Sequence, residues 1–239
     1  MKYSLKLITL VLSSFAVAGF LRAGPPSAAD VGDAETFGHA ALYMGAVSGF
    51  QTLAPVGGCP APSSDNFCDE LSAAPTSTTF QHDNICRINL PKKATRNVIY
   101  PVINIFLNYQ LQNLTGGDEQ GLLRFTAGVT IVSDALTGPD CTDPLTSAPC
   151  GGKLTLLFNY NYRDDRNMHT SDRQRLQETL VRAGNTGLTR QQFHDSFGLT
   201  SATVDALFAG PMTVQLDING TAKMVTSASI TCNLRLFGD

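Results

Sequence analysis

The densest cluster of side chains with catalytic potential lies between Asn159 and His169. Asp164, Asp165 and His169 follow a segment of alternating polarity, so the end of a strand could offer carboxylates and an imidazole for acid–base chemistry or for a metal ion. Adjacent carboxylates point apart on an extended chain, however, and the spacing of an EF-hand calcium loop is absent. A solvated loop of alternating charge is therefore favoured, and a secreted hydrolase using these three residues is the alternative functional hypothesis.

Other motifs that carry recognisable chemistry are missing from the sequence. There is no His-Glu-x-x-His, no Gly-x-Ser-x-Gly elbow, no phosphate-binding loop and no haem-attachment motif among the 239 residues. We therefore predict no catalytic, cofactor-binding or metal-ligating residue. We expect a non-catalytic protein, with the hydrolase as the alternative.

The cysteines indicate a disulfide framework rather than a metal cluster, since there are six of them and no Cys-x-x-Cys pair. Six cysteines allow many pairings, and spacing alone does not decide among them. Two pairs are nine residues apart across turn-forming sequence, and the remaining two cysteines are then left for each other. The predicted bridges are Cys59–Cys68, Cys141–Cys150 and Cys86–Cys232.

The N-terminal region predicts a secretory signal peptide over residues 1–29. Lys2 and Lys6 precede an uncharged apolar run from Leu7 to Val17, which is too short for a membrane-spanning helix. Small residues allow cleavage between residues 18 and 29. The expected location is outside the cytoplasm, in the periplasm, at the cell surface or in the medium, and we expect no transmembrane segment after cleavage.

The charge balance argues against nucleic acid as a partner. The full chain has 17 basic and 20 acidic residues, and loss of residues 1–29 removes three basic residues and no acidic one. An acidic protein has no general attraction for phosphate backbones. The segment 188–210 has the outline of a helix-turn-helix, but Thr200 to Gly210 contains no Lys or Arg.

The remainder of the chain, residues 30–239, is predicted to form one mainly β domain, an antiparallel sandwich or barrel of about seven strands. Seven segments alternate apolar and polar residues with the period of a half-buried strand. They lie near Leu42 to Leu53, Ile85 to Leu90, Ile99 to Leu111, Leu123 to Ile131, Lys153 to Tyr162, Met212 to Ile218 and Ala222 to Leu236. Asn219-Gly220, between the last two, is a strong signal for a tight hairpin turn.

A helical insertion is predicted over residues 171–210. Ser171 begins a capping-box pattern that Leu176 and Leu180 follow at helical spacing. Thr189 and Ser201 are expected to cap two further short helices, whose apolar residues should be buried because helices of this length need a tertiary surface.

Several short stretches resemble an uncharacterised group of exported proteins of Gram-negative bacteria. They are Asp30 to Gly38, Leu90 to Arg96 and Pro211 to Val214. The resemblance implies export and cleavage near Asp30, and it implies no activity. Together with the predicted strands and disulfides, it favours an exported β-domain with a structural or binding role at the cell surface or in the periplasm. A surface-filament subunit or an adhesin would be such a role, with self-association or a surface partner.

Overall fold

The computed structural model describes residues 42–61, 66–144, 146–184 and 187–239. The predicted signal peptide and the segment from residue 30 to 41 lie outside these described residues. Within them, ten strands and two α-helices form. The strands are β1 (Leu42–Ala54), β2 (Asn66–Glu70), β3 (Thr78–Leu90), β4 (Val98–Gln112), β5 (Glu119–Val132), β6 (Lys153–Met168), β7 (Arg173–Ala183), β8 (Leu188–Thr189), β9 (Met212–Lys223) and β10 (Val225–Gly238), and the helices are α1 (Arg190–Asp195) and α2 (Ser201–Ala209).

The strands pack as two sheets, which confirms the predicted β-sandwich. The first sheet has the order β2-β1-β10-β4-β7, with β8 also paired to β4, and the second has the order β3-β9-β5-β6. Neighbouring strands are antiparallel except for β1 and β2, which run parallel. β6 and β7 therefore lie at the same side of the sandwich, one at the edge of each sheet.

The core lies between the sheets and is built from the alternating positions that the sequence pattern marks. In β4, Ile103, Ile105 and Leu107 are almost completely buried, while Phe106 between them is half exposed. In β5, Leu123 and Ala127 are fully buried in the same way. Period-two burial of apolar side chains on one face of each sheet supplies the main driving force for this packing.

The N-terminal part of the predicted helical insertion is wrong, because residues 173–183 form strand β7. Leu176 and Leu180 have helical spacing, but they also lie on one face of a strand together with Glu178 between them. Glu178 points inward and contacts the hydroxyl of Tyr162 in the opposite sheet. Because Glu178 is charged, it interrupts the apolar alternation that would otherwise identify a strand.

The C-terminal part of the insertion is helical, as predicted. Thr189 caps α1 by accepting a hydrogen bond from the backbone N–H of Gln192. Thr200, rather than Ser201, caps α2. Four apolar side chains of this region join the common core as expected: Phe193, Phe197, Leu207 and Phe208. Among the described residues, no helix has the length and apolar character needed to cross a bilayer.

The predicted hairpin turn at Asn219-Gly220 is also wrong. Both residues lie inside β9, and the chain reverses at Met224, which has a φ of 60°. A side chain at Gly220 would collide with the Phe80 ring and with the backbone oxygen of Arg124, and its Cβ would lie 2.8 Å from that of Phe125. Close packing inside the sheet, and not a turn, is why glycine occupies this position.

Two of the three predicted disulfides are present, Cys59–Cys68 and Cys141–Cys150. The third predicted bridge is wrong, since Cys86 and Cys232 are free, buried thiols. They face each other across the sandwich from β3 and β10, but the Cys86 sulfur interacts with the backbone N–H of Leu234 instead. Burial raises the pKa of Cys86 to about 12 and raises the pKa of Cys232 as well, so both thiols keep their protons.

Candidate functional site

The three residues of the hydrolase hypothesis do not form one site. Asp164 points between the sheets, whereas Asp165 points out of the second sheet and accepts hydrogen bonds of 2.7 Å from the Arg124 guanidinium. His169 lies in the turn after β6, where its side chain is 80% exposed and pairs with Asp118. Successive residues of a strand face opposite ways, so Asp164 and Asp165 are separated by the sheet itself.

A tyrosine network lies where Asp164 points, at the β6–β7 side of the sandwich. The hydroxyls of Tyr109 and Tyr162 are 2.8 Å apart. Tyr109 donates a hydrogen bond to Asp164, and Tyr162 lies 2.9 Å from Glu178. Arg166 completes the network with its Nε 2.8 Å from both oxygens of Asp164. The network therefore ties β4 and β7 of the first sheet to β6 of the second.

The phenols of this network act as hydrogen-bond donors rather than as bases. Burial, followed by the hydrogen bond to Asp164, raises the pKa of Tyr109 far above its usual range. Burial also raises the pKa of Tyr162, helped by its hydrogen bond to Glu178 and opposed by the one to Tyr109. Because the carboxylate of Asp164 is held by Arg166 and Tyr109, the network has the properties of a cross-link between the sheets.

A second polar cluster, which the sequence analysis missed, lies at the opposite side of the sandwich. His82 Nε2 is 2.7 Å from an oxygen of Asp69, and the amide of Gln51 donates to the same oxygen at 2.8 Å. Gln51 is completely buried and its Oε1 has no hydrogen-bond partner. The ring of Phe67 covers His82, with the ring centres 4.7 Å apart. No sequence motif could have revealed this cluster, because its members come from three different strands.

Neither cluster provides a recognisable metal centre. Across residues 42–61, 66–144, 146–184 and 187–239, no group of three or more His, Cys, Asp and Glu side chains is arranged to hold a metal ion. An apolar hollow of about 280 Å³ lies at one end of the sandwich, next to the β9–β10 turn. Its walls include Leu71, Leu114, Met224 and Val225.

The outer face of the first sheet has an unusual composition. The strands β1, β10, β4 and β7 contain one acidic residue, Glu178, and it points inward. We call the outward side of these four strands the uncharged face after its three central rows, which carry no charge; its outward-facing arginines, Arg173, Arg175 and Arg235, lie nearer the strand ends. Its central row, read across the paired strands, is Phe50, Thr231, Phe106 and Thr179.

Exposed apolar side chains mark this uncharged face. Phe50 is 44% exposed, Phe106 50% and Val181 59%. The rows on either side of the central row carry mainly amides and hydroxyls: Ser48, Asn233, Asn104 and Val181 in one, and Thr52, Ser229, Asn108 and Gln177 in the other. The centre of a protein interface typically has few charged residues and many aromatic ones, and these central rows have that composition.

The outer face of the second sheet differs, because it carries paired charges. Asp165 lies between Arg124 and Arg163 on this side. Lys223 Nζ lies 2.9 Å from a carboxylate oxygen of Glu119 at the end of β9. A sheet face with alternating, mutually paired charges is suited to water. The two outer faces of one sandwich are therefore chemically distinct.

Comparisons with known proteins give no family for this chain. No family model matches it, and no curated protein matches it. Among solved structures, the chain is similar to the VP2 subviral particle of infectious bursal disease virus, at a TM-score of 0.25 and 10% identity over 81% of this chain and 32% of the viral chain. A structure of the Gx strain of the same virus gives 0.21 and 12% over 69% and 31%.

A third structure, the T13 particle of the virus, gives a TM-score of 0.19 at 11% identity over 75% of this chain and 39% of the viral chain. The chain spans about a third of the length of the first two viral chains. All three TM-scores are far below 0.5, so these likenesses carry no argument about function.

Proposed function

We propose that this chain is an exported, non-catalytic β-sandwich domain that acts by binding, with a structural role at the cell surface or in the periplasm. The observation that carries the proposal is the uncharged face, where Phe50, Phe106 and Val181 are exposed on the outer side of a sheet and no carboxylate points outward. A surface filament or an adhesive layer would use such a face for contact with a macromolecule.

The disulfides support export. Cys59–Cys68 and Cys141–Cys150 are bonded, and structural disulfides persist mainly in oxidising compartments outside the cytoplasm. The predicted signal peptide supports the same location. The resemblance of the short N-terminal stretch from Asp30 to Gly38 to exported proteins of Gram-negative bacteria is in keeping with it.

The geometry gives no support to a hydrolase that uses Asp164, Asp165 and His169. The first carboxylate is held by Tyr109 and Arg166, and the second belongs to an arginine pair on the other side of the sheet. Neither is positioned to act with the imidazole on one substrate.

Cell fractionation combined with N-terminal sequencing tests the proposal. We expect the chain in the periplasmic, surface or medium fraction, beginning between Gly19 and Asp30, with both disulfides intact. Recovery from the cytoplasm alone, with Met1 retained and Cys59 and Cys68 reduced, would contradict export and with it the proposed role.

A further inference from the structure

We propose that the uncharged face is a self-association surface, on which two copies of the chain pack sheet against sheet about a two-fold axis parallel to the strands. This inference rests on the binding role proposed above and names the partner as a second copy. The central row across the face, set by the strand register, is self-complementary in the size of its side chains.

The size of the uncharged face suits a dimer. Four strands about 4.8 Å apart give a surface roughly 19 Å wide, and the stretch of β4 from Val102 to Gln110 is about 30 Å long. The product, about 600 Å² before side-chain relief is counted, approaches the ~800 Å² per partner of a stable interface.

The central row has alternating large and small side chains. Phe50 and Phe106 lie two strands apart, about 10 Å, with Thr231 between them and Thr179 beyond. A two-fold axis running between β10 and β4 places Phe106 of each copy over Thr231 of the other. The same axis places Phe50 over Thr179, so every ring meets a short side chain instead of another ring.

In the neighbouring rows the same axis brings the polar side chains of β10 and β4 over each other, and it brings Ser48 over Val181. Asn104 comes over Asn233 of the second copy, where two amides can exchange hydrogen bonds. Ser229 comes over Asn108 in the row on the other side. The outward-facing charges, Arg235, Arg173 and Arg175, lie towards the ends of the strands, away from the central row. An uncharged centre with charges at its margin is the usual arrangement of an interface.

Sedimentation velocity on the purified chain, between roughly 1 and 100 µM, tests the proposal. We expect wild type, purified after loss of the signal peptide, to sediment at twice the mass of the mature chain. Phe106→Asp puts a carboxylate at the centre of the interface and should raise the dissociation constant at least ~100-fold. Thr126→Asp is the matched control, because Thr126 lies on a central strand of the second sheet and faces outward, 2.7 Å from Asn161.

The outcomes separate the possible interfaces. A dimer that Phe106→Asp dissociates and Thr126→Asp leaves intact supports the proposal, provided that both variants keep the wild-type thermal midpoint. Phe50→Asp, at the edge of the same row, gives a second reading if Phe106→Asp folds poorly. A monomeric wild type, or a dimer that resists both Phe substitutions, overturns it. Phe106-dependent binding of a monomeric wild type to insoluble cellulose would also overturn it, in favour of a polysaccharide ligand, and would leave the proposed export untouched.

Discussion

Tyr109 and Tyr162 face each other from opposite sheets, with their hydroxyl oxygens 2.8 Å apart, and each also reaches a carboxylate of the sheet opposite its own. Tyr109, from the first sheet, binds Asp164 of the second, and Tyr162, from the second, binds Glu178 of the first. These two reciprocal contacts connect the sheets at the side of the sandwich where the edge strands β6 and β7 are not hydrogen-bonded to each other.

Removal of one hydroxyl from this network should weaken the fold. Tyr162→Phe deletes the contacts to Tyr109 and Glu178 and leaves both without a partner at that point, which should cost about 1–3 kcal/mol in the free energy of unfolding. Urea unfolding measures the change. Tyr160→Phe is the control, because the described structure gives the Tyr160 hydroxyl no hydrogen bond. Equal losses in the two variants would contradict a special role for the network.

Alkaline pH should reveal the same two phenols. Since the folded-state pKa of Tyr109 and of Tyr162 lies above the unfolded value of about 10, the stabilisation is fully present below that pH and is lost as pH rises towards the folded pKa. Tyr3 is lost with the predicted signal peptide, which leaves five of the six tyrosines in the mature chain. Absorbance at 295 nm should therefore show two of these five ionising only together with unfolding. A smooth titration of all five near pH 10 would disprove this.

Asp239 should make the fold sensitive to acid. Its side-chain carboxylate accepts hydrogen bonds from the Thr95 hydroxyl and from the backbone N–H groups of Arg96, Asn97 and Val98, at 2.8–3.2 Å. Burial alone would raise the pKa of Asp239, but these donors together outweigh it and hold the pKa well below its usual range. The stabilisation is thus present above the unfolded pKa of about 3.9 and falls as pH drops towards the folded pKa.

Asp239→Asn measures this contribution. We expect a loss of about 1–2 kcal/mol at pH 7, since a neutral amide accepts the same donors less strongly. Between pH 4 and pH 2 the difference between variant and wild type should shrink. A difference in the thermal midpoint that stays constant down to about pH 2 would show that the charge of Asp239 does not contribute.

Gly220→Ala should be severely destabilising although the backbone there is ordinary strand. The added methyl group meets the Phe80 ring and the Arg124 carbonyl, and overpacking against a backbone atom should cost about 3 kcal/mol or more. Gly116→Ala is the control, because nothing lies within 4 Å of a Cβ at that exposed position. Its effect on the thermal midpoint should be small, and a similar effect of the two variants would contradict the packing explanation.

The two free thiols should react only in the unfolded chain. Cys86 and Cys232 are buried and keep their protons, and the thiolate is the reactive form. A thiol-specific reagent should detect no thiol per native chain and two per chain in guanidinium chloride. No thiol in the denaturant would mean that the two cysteines are bridged, as the spacing argument first suggested.

The strands that bury one apolar face could be predicted from the sequence. In β4 and β5 every inward position is apolar, so the period-two pattern is complete and marks Ile105 and Phe125 as core residues. β7 could not be predicted, because Glu178 interrupts its inward face and leaves Leu176 and Leu180 at a spacing that a helix shares. The residue that hides the strand is thus a member of the tyrosine network.

The candidate sites lie beyond the reach of sequence patterns for a different reason. Alternation shows that Tyr109 and Tyr162 point inward, but their meeting depends on the packing of two sheets. Gln51, Asp69 and His82 likewise converge from three strands. The uncharged face is an intermediate case. The sequence shows that β1, β4 and β10 contain no acidic residue. The alignment of Phe50 with Phe106 in one row, however, depends on the strand register.

The Cys59–Cys68 bridge holds the short parallel strand β2 against the edge of β1. β2 has only five residues, and it covers the backbone edge of β1 from Phe50 to Ala54. The bridge fastens Cys68, in the middle of β2, to the loop that leaves β1. Reduction of the bridge would allow β2 to detach and would expose the backbone edge of β1, which has no charged residue. Such an exposed edge can pair with a strand of another chain. A reducing environment should therefore cause aggregation of the folded protein before it causes unfolding.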